Sequence, residues 1–320
     1  MTEGILGLDT SCYTSSVAVV SPQGALLHSE RRLLVVRGGG RGLRQSEALF
    51  QHVQNLPALL EGVRDALPSL RLLAVCASSK PRDRQDSYMP VFTAGEGLAR
   101  SLAAGLNLPA FYTSHQQGHL AAAALGAGAL GERFLAMHIS GGTTELLLVE
   151  GERIERLGGD EDLHAGQFVD RVGVRMGCSF PAGPQLEGLA EGFSAKGLLG
   201  ASVRGLNCSF SGPEAAAQRL LDQGQEPGQV AAEVYACLER SAFKLLEAGV
   251  RATGATRALL FGGVASSARF RRELLLRAQR LGLPLALHFG RPELSGDNAV
   301  GVARIGARLY AMNQRQEEDK

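Results

Sequence analysis

The chain has 320 residues, of which 45% are hydrophobic and 20% are charged, a globular composition with room for two domains. Its formal net charge of +1 gives no overall electrostatic case for binding nucleic acid or membranes. No apolar run approaches the roughly 20 residues that span a bilayer, and the N-terminus shows no signal segment. The five cysteines have no paired spacing, so we expect a reduced, cytoplasmic protein that does not engage a membrane.

Two stretches of the sequence share one pattern, in which an apolar strand, a short polar turn and a second apolar strand follow one another. They cover residues 4–20 and 134–149. Their separation is too long for a solenoid, whose period is about 20 to 50 residues, and favours a duplicated α/β domain. We therefore divide the chain into an N-terminal lobe, residues 1–133, and a C-terminal lobe, residues 134–320.

Apolar periodicity outside these two hairpins predicts alternating helices and strands. Helices are expected over residues 45–60, 93–105, 165–176, 185–191, 231–253, 267–281 and 298–312, with a further one after residue 114, and strands over residues 72–77, 110–112 and 258–261. The polar tail, residues 314–320, is expected to fray. Such alternation favours a largely parallel sheet wrapped by helices.

A pair of histidines, His115 and His119, is the first candidate for chemistry. Residues four apart share one face of a helix, so two imidazoles placed in this way can hold a metal ion together with a distant carboxylate. Asp297 follows Gly296 at the start of a predicted helix and could be that carboxylate. The alternatives are that the histidines line an ordinary helix and that Asp297 is a common first-turn acid.

Glycine-rich and polar turns are the second candidate. Residues 140–144 (Ser-Gly-Gly-Thr-Thr) and 9–11 (Asp-Thr-Ser) could each form a nest of backbone N–H groups for an anion, or be simple turns. Their duplication favours a phosphate clamp between two lobes. Gly262 and Gly263, between a strand and a helix, could lie under a nucleoside with Ser267 nearby, or allow close helix–strand packing. Asp170 could bind a ribose hydroxyl or be a surface neighbour of Arg171.

Together these pieces resemble the two-lobed actin, sugar-kinase and heat-shock-chaperone ATPases, and more specifically the threonylcarbamoyl transferase (TsaD, or "glycoprotease") family. The resemblance runs from Gly4 to Tyr310. It rests on His115-Gln-Gln-Gly-His119, Ile139-Ser-Gly-Gly142, Phe168-Val-Asp-Arg-Val172, Phe180-Pro-Ala-Gly-Pro184, Ser209-Phe-Ser-Gly212, Gly262-Gly-Val264 and Gly296-Asp-Asn-Ala299.

The resemblance implies a duplicated, ribonuclease-H-like α/β fold of two lobes and an acyltransferase activity. Such an enzyme moves the threonylcarbamoyl group from threonylcarbamoyl-AMP to adenosine 37 of tRNA. It implies one divalent metal, iron rather than zinc, on His115, His119 and Asp297, and threonylcarbamoyl-AMP or ATP as nucleotide ligand. The implied partners are tRNA and either accessory subunits or a second copy of the chain. The implied substrate- and nucleotide-binding residues are His138, Ile139, Ser140, Gly141, Gly142, Asp170, Gly183, Gly262, Gly263 and Ser267.

The chain departs from the family pattern at several positions. Tyr13 and Thr14 stand where the family carries an acidic pair, so we assign no catalytic residue. Gln117 replaces a glutamate, Ser267 replaces an asparagine, and residues 80–84 (Lys-Pro-Arg-Asp-Arg) replace a glycine-rich stretch. These departures are typical of a divergent bacterial paralogue. The alternative function is therefore a repurposed nucleotide-binding protein that acts on another acceptor or regulates a partner.

Two other functions are weaker alternatives. A zinc peptidase needs a glutamate directly after the first histidine, and here that residue is Gln116. A metal-free accessory subunit would have no need of His115, His119 and Asp297. Arginines at positions 31, 32, 37, 41 and 44, around the glycines at 38–40, could contact RNA phosphates or form a solvated basic loop.

Overall fold

The computed structural model describes residues 1–11, 13–36, 43–84, 86–128 and 130–318. They form two compact units, residues 1–122 with 296–320 and residues 123–295. The elements of the first unit are β1 (Thr2–Ser11), β2 (Thr14–Val20), β3 (Leu26–Leu33), α1 (Gln45–Ala66), β4 (Leu70–Lys80), α2 (Phe92–Leu106), β5 (Ala110–Ser114), α3 (His115–Ala123) and α9 (Val300–Glu318). Among the described residues, no helix is long and apolar enough to cross a membrane.

The first unit is built on a five-stranded sheet of order β3-β2-β1-β4-β5. The hairpin strands β1 and β2 pair antiparallel, with Ile5 opposite Val20, and β3 continues the antiparallel meander. Strands β4 and β5 are added in parallel on the other side of β1. One face of the sheet buries alternate apolar residues of β1, β2 and β4 against α1 and α2. The central strand β1 is therefore hydrogen-bonded to β2 and β4 and covered on one face by α1 and α2.

The second unit contains β6 (Arg133–Ile139), β7 (Thr144–Glu150), β8 (Arg153–Asp160), α4 (Ala165–Arg175), α5 (Gly183–Leu189), β9 (Ser202–Arg204), β10 (Asn207–Ser209), α6 (Ser211–Asp222), α7 (Pro227–Thr253), β11 (Arg257–Phe261), α8 (Ala268–Arg280) and β12 (Ala286–Phe289). Its sheet has the order β12-β11-β6-β7-β8-β10-β9. The long helix α7 is buried along most of its length and joins one core with β6, β7 and β11. It ends at Gly254, whose φ of 68° permits the left-handed turn that stops a helix.

The second unit repeats the strand order of the first. An antiparallel meander, β6-β7-β8, is followed by β11 parallel to β6 and β12 parallel to β11. The predicted duplication is therefore present. The sheets are mixed, however, and not largely parallel as the sequence suggested. The difference arises because β3 and β8 each extend a tight antiparallel hairpin. Both strands carry several charged residues, which hid them from the apolar pattern.

The C-terminal segment, from residue 296, belongs to the first unit and not to the unit that contains the residues before it. Helix α9 lies on β1 and β4 of the first unit, where a Cβ at Gly7 would collide with the backbone of Ala303 and one at Gly306 with Cys76. The compact units thus differ from the expected division at residue 133, because a chain can return to an earlier sheet. Helix α9 also continues to Glu318 instead of fraying from residue 314.

Candidate metal centre and nucleotide-binding residues

Helix α3 begins with a capping box that fixes the two histidines. Ser114 Oγ accepts from the backbone N–H of Gln117 at 3.2 Å, and Gln117 Oε1 accepts from the N–H of Ser114 at 3.0 Å. The sequence Ser-x-x-Gln is a known helix start signal, and here it satisfies two otherwise unpaired N–H groups. Gln117 therefore has a structural role in this chain, and the histidines occupy the first two turns of a helix with a defined start.

Asp297 reaches the histidines because α3 and α9 meet at glycines. A Cβ at Gly301 would overlap the backbone carbonyl of Gly118, so the helices approach each other at backbone distance. Just before α9, Asn298 Oδ1 accepts from the N–H of Val300 at 3.0 Å and shapes the entry to the helix. This packing brings a residue 178 positions away in sequence into contact with His119.

Three ligand-type side chains converge at this point. Asp297 Oδ1 lies 3.0 Å from His119 Nε2 and 3.5 Å from His115 Nε2. The two imidazole rings are 4.3 Å apart between centroids and nearly perpendicular. One ligand atom from each residue lies within 4.8 Å of the others. Two imidazole nitrogens and one carboxylate oxygen form a donor set that suits a divalent transition metal.

Electrostatics in this cluster favour a charged carboxylate. Burial alone would raise the pKa of Asp297, but hydrogen bonds from His115 and His119 and their charges hold it well below its usual value. Burial alone would lower the pKa of His115, but the charge of Asp9, with hydrogen bonds and charge from Asp297, raises it well above its usual value. The carboxylates of Asp9 and Asp297 therefore place negative charge on two sides of the His115 imidazole, an arrangement that favours a cation.

In the first hairpin, the three residues that we expected to form an anion-binding turn lie in a strand. Asp9, Thr10 and Ser11 belong to β1 and are almost fully buried. Asp9 Oδ1 lies 3.0 Å from His115 Nδ1 and also accepts from Ser78 Oγ on β4. This carboxylate beside the candidate metal ligands was missed by sequence reasoning. The only signal was an ionisable residue inside an apolar strand.

The departures from the family pattern occupy defined places near this cluster. Thr14 is buried and donates from Oγ1 to Asp297 Oδ2 at 3.4 Å, whereas Tyr13 is 45% exposed. The basic stretch after β4 borders the start of α3, since the N–H of Gln116 donates to the carbonyl of Pro81 at 3.0 Å. Within that stretch Lys80 Nζ pairs with Asp83 Oδ1 at 2.7 Å.

The arginines proposed for RNA divide into three groups. Arg31 donates to the backbone carbonyl of Asp297 at 3.4 Å and thereby helps to hold the segment before α9. Arg32 and Arg44 are exposed. The arginines at positions 37 and 41, and the glycines at 38–40, lie outside the described residues.

In the second unit, one group of predicted residues meets at the carboxyl ends of β6 and β11. These strands are parallel neighbours with His138 opposite Phe261, and the two rings stack at 4.7 Å between centroids. Gly262 has a φ of 104°, and a Cβ there would collide with the carbonyl of Ile139. A Cβ at Gly263 would meet nothing within 4 Å. Packing therefore requires the first glycine, whereas the second leaves open space.

The Ser140–Thr143 turn lies at the same end of β6. Its N–H of Ser140 donates to the carbonyl of Thr143 at 2.8 Å, and Gly141 and Gly142 are exposed. Helix α4 starts against it, because the N–H of Gly166 donates to the carbonyl of Ser140 at 3.0 Å. The side chain of Ile139 is buried in the core, so its predicted binding role would involve its backbone.

The other predicted residues gather around a tyrosine that sequence reasoning missed. Asp170 Oδ1 accepts from the N–H of Ala182 at 2.7 Å, and Tyr235 on α7 donates to the carbonyl of Gly183 at 3.0 Å. Burial raises the pKa of Tyr235, the charge of Glu187 raises it further, and a hydrogen bond with Ser267 opposes the rise. Ser267 also caps α8 by accepting from the N–H of Phe270 at 3.1 Å. A buried tyrosine on a long apolar helix gives no signal in the sequence.

Comparison with solved structures supports the fold. Solved structures with the same fold include component A of the Acidaminococcus fermentans (R)-2-hydroxyglutaryl-CoA dehydratase, with a TM-score of 0.58 and 15% identity over 97% of this chain and 100% of that one. A ROK family glucokinase from Streptomyces griseus gives a TM-score of 0.56 and 14% identity over 95% and 99%. These likenesses confirm the expected two-lobed α/β fold of the actin and sugar-kinase type.

Sequence relatives are more specific. A tRNA N6-adenosine threonylcarbamoyltransferase of Archaeoglobus fulgidus is 27% identical over 98% of this chain and 94% of its own length. A protein of the same name from Neorickettsia sennetsu is 30% identical over 93% of this chain and 91% of its own length. The family model TsaD, tRNA N6-adenosine threonylcarbamoyltransferase, matches residues 91–304, a range that contains the two histidines, Asp297 and every predicted nucleotide-binding residue. The chain therefore belongs to the TsaD family of tRNA N6-adenosine threonylcarbamoyltransferases.

Proposed function

We propose that this chain transfers the threonylcarbamoyl group from threonylcarbamoyl-AMP to the N6 amine of adenosine 37 in tRNA. Membership of the family supports the reaction, and full-length relatives bear the name of that activity. The observation that carries the proposal is the convergence of His115 and His119, on α3, with Asp297, in the segment before α9. Ordinary packing has no need for two imidazoles and a carboxylate whose ligand atoms all lie within 4.8 Å of one another.

The cluster is the proposed site of one divalent metal, for which we favour iron over zinc. His115, His119 and Asp297 would hold it, and their borderline and hard donors suit either ion. A metal bound there would act as a Lewis acid that polarises a carbamoyl oxygen or orients the adenylate. The side chains are only partly exposed, between 10% and 29%, so the surroundings limit access of water.

The proposed nucleotide ligand, threonylcarbamoyl-AMP or ATP, would use the second unit. Exposed backbone N–H groups at Gly141 and Gly142, beside the start of α4, suit a phosphate. The open surface over Gly263 suits the flat face of a nucleoside. Asp170 Oδ1 accepts from the backbone N–H of Ala182, and a ribose hydroxyl would donate to Oδ2 of the same carboxylate.

In the proposed reaction, a bond forms between N6 of adenosine and the carbamoyl carbon. The bond between that carbon and the phosphate oxygen breaks, AMP leaves, and N6 loses one proton. The chain's own contribution is positioning and electrostatic stabilisation. Neither Tyr13 nor Thr14 is a carboxylate, and the hydroxyl of Thr14 donates a hydrogen bond to Asp297. We therefore assign no proton acceptor at these two positions.

This last observation favours a second candidate function. A nucleotide-binding paralogue that keeps the metal and phosphate residues could modify a different acceptor or regulate a partner. The two functions differ in their acceptor and share the metal and nucleotide residues. The partners that we propose for the first function are tRNA, with Arg32 and Arg44 as exposed cations, and either accessory subunits or a second copy of the chain.

The test is transfer of label from radiolabelled threonylcarbamoyl-adenylate to unmodified tRNA by the metal-loaded protein, with and without accessory proteins of the same cell. We expect labelled tRNA, and a loss of at least about 100-fold with His115→Ala, because one ligand of the site is removed. The matched control is His28→Ala, a partly exposed histidine on β3 outside the cluster. Metal and nucleotide binding without labelled tRNA would instead support the repurposed paralogue.

A further inference from the structure

His115 uses its two ring nitrogens for different partners. Nε2 faces Asp297 Oδ1 at 3.5 Å, on the side of the ligand cluster, whereas Nδ1 lies 3.0 Å from Asp9 Oδ1. A neutral imidazole has one N–H donor and one acceptor nitrogen. A metal on one nitrogen requires the neutral imidazole, and an ionised carboxylate only accepts, so in that state Asp9 selects the tautomer with hydrogen on Nδ1. The lone pair of Nε2 then points to the cluster.

Asp9 is itself held in one place. It lies in the middle of the sheet on β1, between β2 and β4, and is fully buried. Ser78 on β4 donates to the same oxygen that faces His115. A side chain on a central strand, fixed by a neighbouring strand, holds its partner more precisely than one on a loop. The imidazole plane of His115 is therefore set by the sheet and not only by its own helix.

The other oxygen of the Asp9 carboxylate bears on the charge balance of the site. Asp9 Oδ2 is buried and has no hydrogen-bond partner among the described residues. A buried carboxylate with an unsatisfied oxygen is costly unless a positive charge compensates it. Asp297 brings a second carboxylate to the far side of His115, so two acids share one imidazole. A divalent cation on Nε2 would neutralise this excess of negative charge.

Resting on the metal site of the proposed function, we propose that Asp9 is a positioning residue that orients His115 for metal binding through Nε2 and raises the metal affinity without being a ligand. The carboxylate–imidazole–metal arrangement is a general device for tuning metal sites. This role also explains why an ionisable side chain, Asp9, is fully buried in the sheet, where it cannot contact a phosphate. Asp9 is not one of the three residues whose ligand atoms converge.

The test is a comparison of Co²⁺ affinity by chelator competition between the unaltered protein, Asp9→Asn and Asp83→Asn. Asp9→Asn keeps the shape of the side chain and removes its charge, and we expect a loss of about 10- to 100-fold in affinity. Asp83→Asn removes an equal charge near the start of α3, where Asp83 pairs with Lys80 and accepts from Gln117 Nε2 at 3.5 Å. The asparagine keeps an oxygen that can accept from Gln117, so the affinity should stay close to that of the unaltered protein.

The visible absorption spectrum of the bound Co²⁺ separates positioning from ligation. We expect Asp9→Asn to keep the band intensity of the unaltered protein, since the ligand number is the same. A change of intensity that indicates a lost ligand would overturn the proposal, as would an unchanged affinity in a variant that folds. Failure of the unaltered protein to bind Co²⁺ would overturn the proposed metal site as well.

A measurement on the unaltered protein avoids the question of whether Asp9→Asn folds. In the zinc-loaded protein, ¹⁵N nuclear magnetic resonance of the histidine rings should show His115 protonated at Nδ1 and metal-bound at Nε2. Metal on Nδ1 would overturn the proposal. None of these readouts uses transfer of the threonylcarbamoyl group, so an inactive but metal-binding protein would contradict the proposed function and leave the role of Asp9 standing.

Discussion

At the scale of single residues, two adjacent glycines show how packing and ligand access can be told apart. Gly262 has a left-handed φ of 104°, and its neighbour is the carbonyl of Ile139. Gly263 adopts an ordinary backbone conformation and faces open space. The sequence shows only a pair of glycines after a strand. The structure gives the first a role in packing and leaves open space beside the second.

Alanine substitutions at these two positions should therefore have different effects. Gly262→Ala should lower the free energy of unfolding by at least about 2 kcal/mol, because it adds backbone strain and a steric clash. Gly263→Ala should change it by less than about 1 kcal/mol but weaken ATP binding, since the methyl group occupies the proposed nucleoside surface. Denaturant unfolding and calorimetric titration measure the two effects. Equal ATP affinity in Gly263→Ala and the unaltered protein would contradict the nucleoside assignment.

At the scale of elements, helix α1 is tied to the first sheet by a buried polar contact. His52 Nδ1 lies 2.8 Å from Ser15 Oγ on β2, and Asn55 Nδ2 donates to the same hydroxyl at 3.2 Å. His52 is fully buried. Burial lowers its pKa to about 4, against smaller opposing effects of the charge of Asp9 and the backbone of Ser11. Helix α1 thus packs with a neutral histidine.

This histidine should make stability depend on pH. Between pH 4 and 6.5 the unfolded chain binds a proton at His52 that the folded protein does not, so stability falls as the pH falls through this window. The contribution is fully present above pH 6.5 and is on the order of 3 kcal/mol over the whole window. Urea unfolding at several pH values should show a shallower dependence for His52→Asn, which cannot titrate. Parallel pH profiles for the two proteins would rule out this role.

At the scale of the whole molecule, the candidate metal centre depends on the return of the C-terminal segment to the first unit. Helix α9 packs on the first sheet and meets α3 at Gly301 and Gly118, which brings Asp297 to the histidines. His115, His119 and Asp297 all belong to the first unit, although they lie near opposite ends of residues 91–304, the range that the family model matches. A change at this helix contact should disturb the metal site although it touches no ligand.

We expect Gly301→Ala to reduce Co²⁺ affinity and to destabilise the protein by at least about 2 kcal/mol, because the added methyl group overlaps the backbone of α3. The control is Gly97→Ala within α2, where a Cβ would meet nothing within 4 Å. That change should leave metal binding intact and stabilise the helix by about 0.5 to 1 kcal/mol. Undiminished Co²⁺ affinity in Gly301→Ala would show that the helix contact does not position Asp297.

The sequence by itself determined the features that depend on local pattern. Apolar periodicity located both hairpins and the long helices, and the spacing of His115 and His119 placed them on one helix face. These features are set within a few residues of the chain. Short polar strands such as β3 were missed, because their hydrogen bonds come from a neighbouring strand and leave no apolar pattern.

Only the tertiary structure decided which distant residues meet. It placed Asp297 with the histidines, buried Asp9 against His115, and gave Tyr235 its contact with Gly183. It also moved α9 to the first unit and made the sheets mixed. The physical reason is that such contacts depend on strand pairing and on backbone-distance helix packing across many residues. One sequence records the residues that permit these contacts but not the partners that they find.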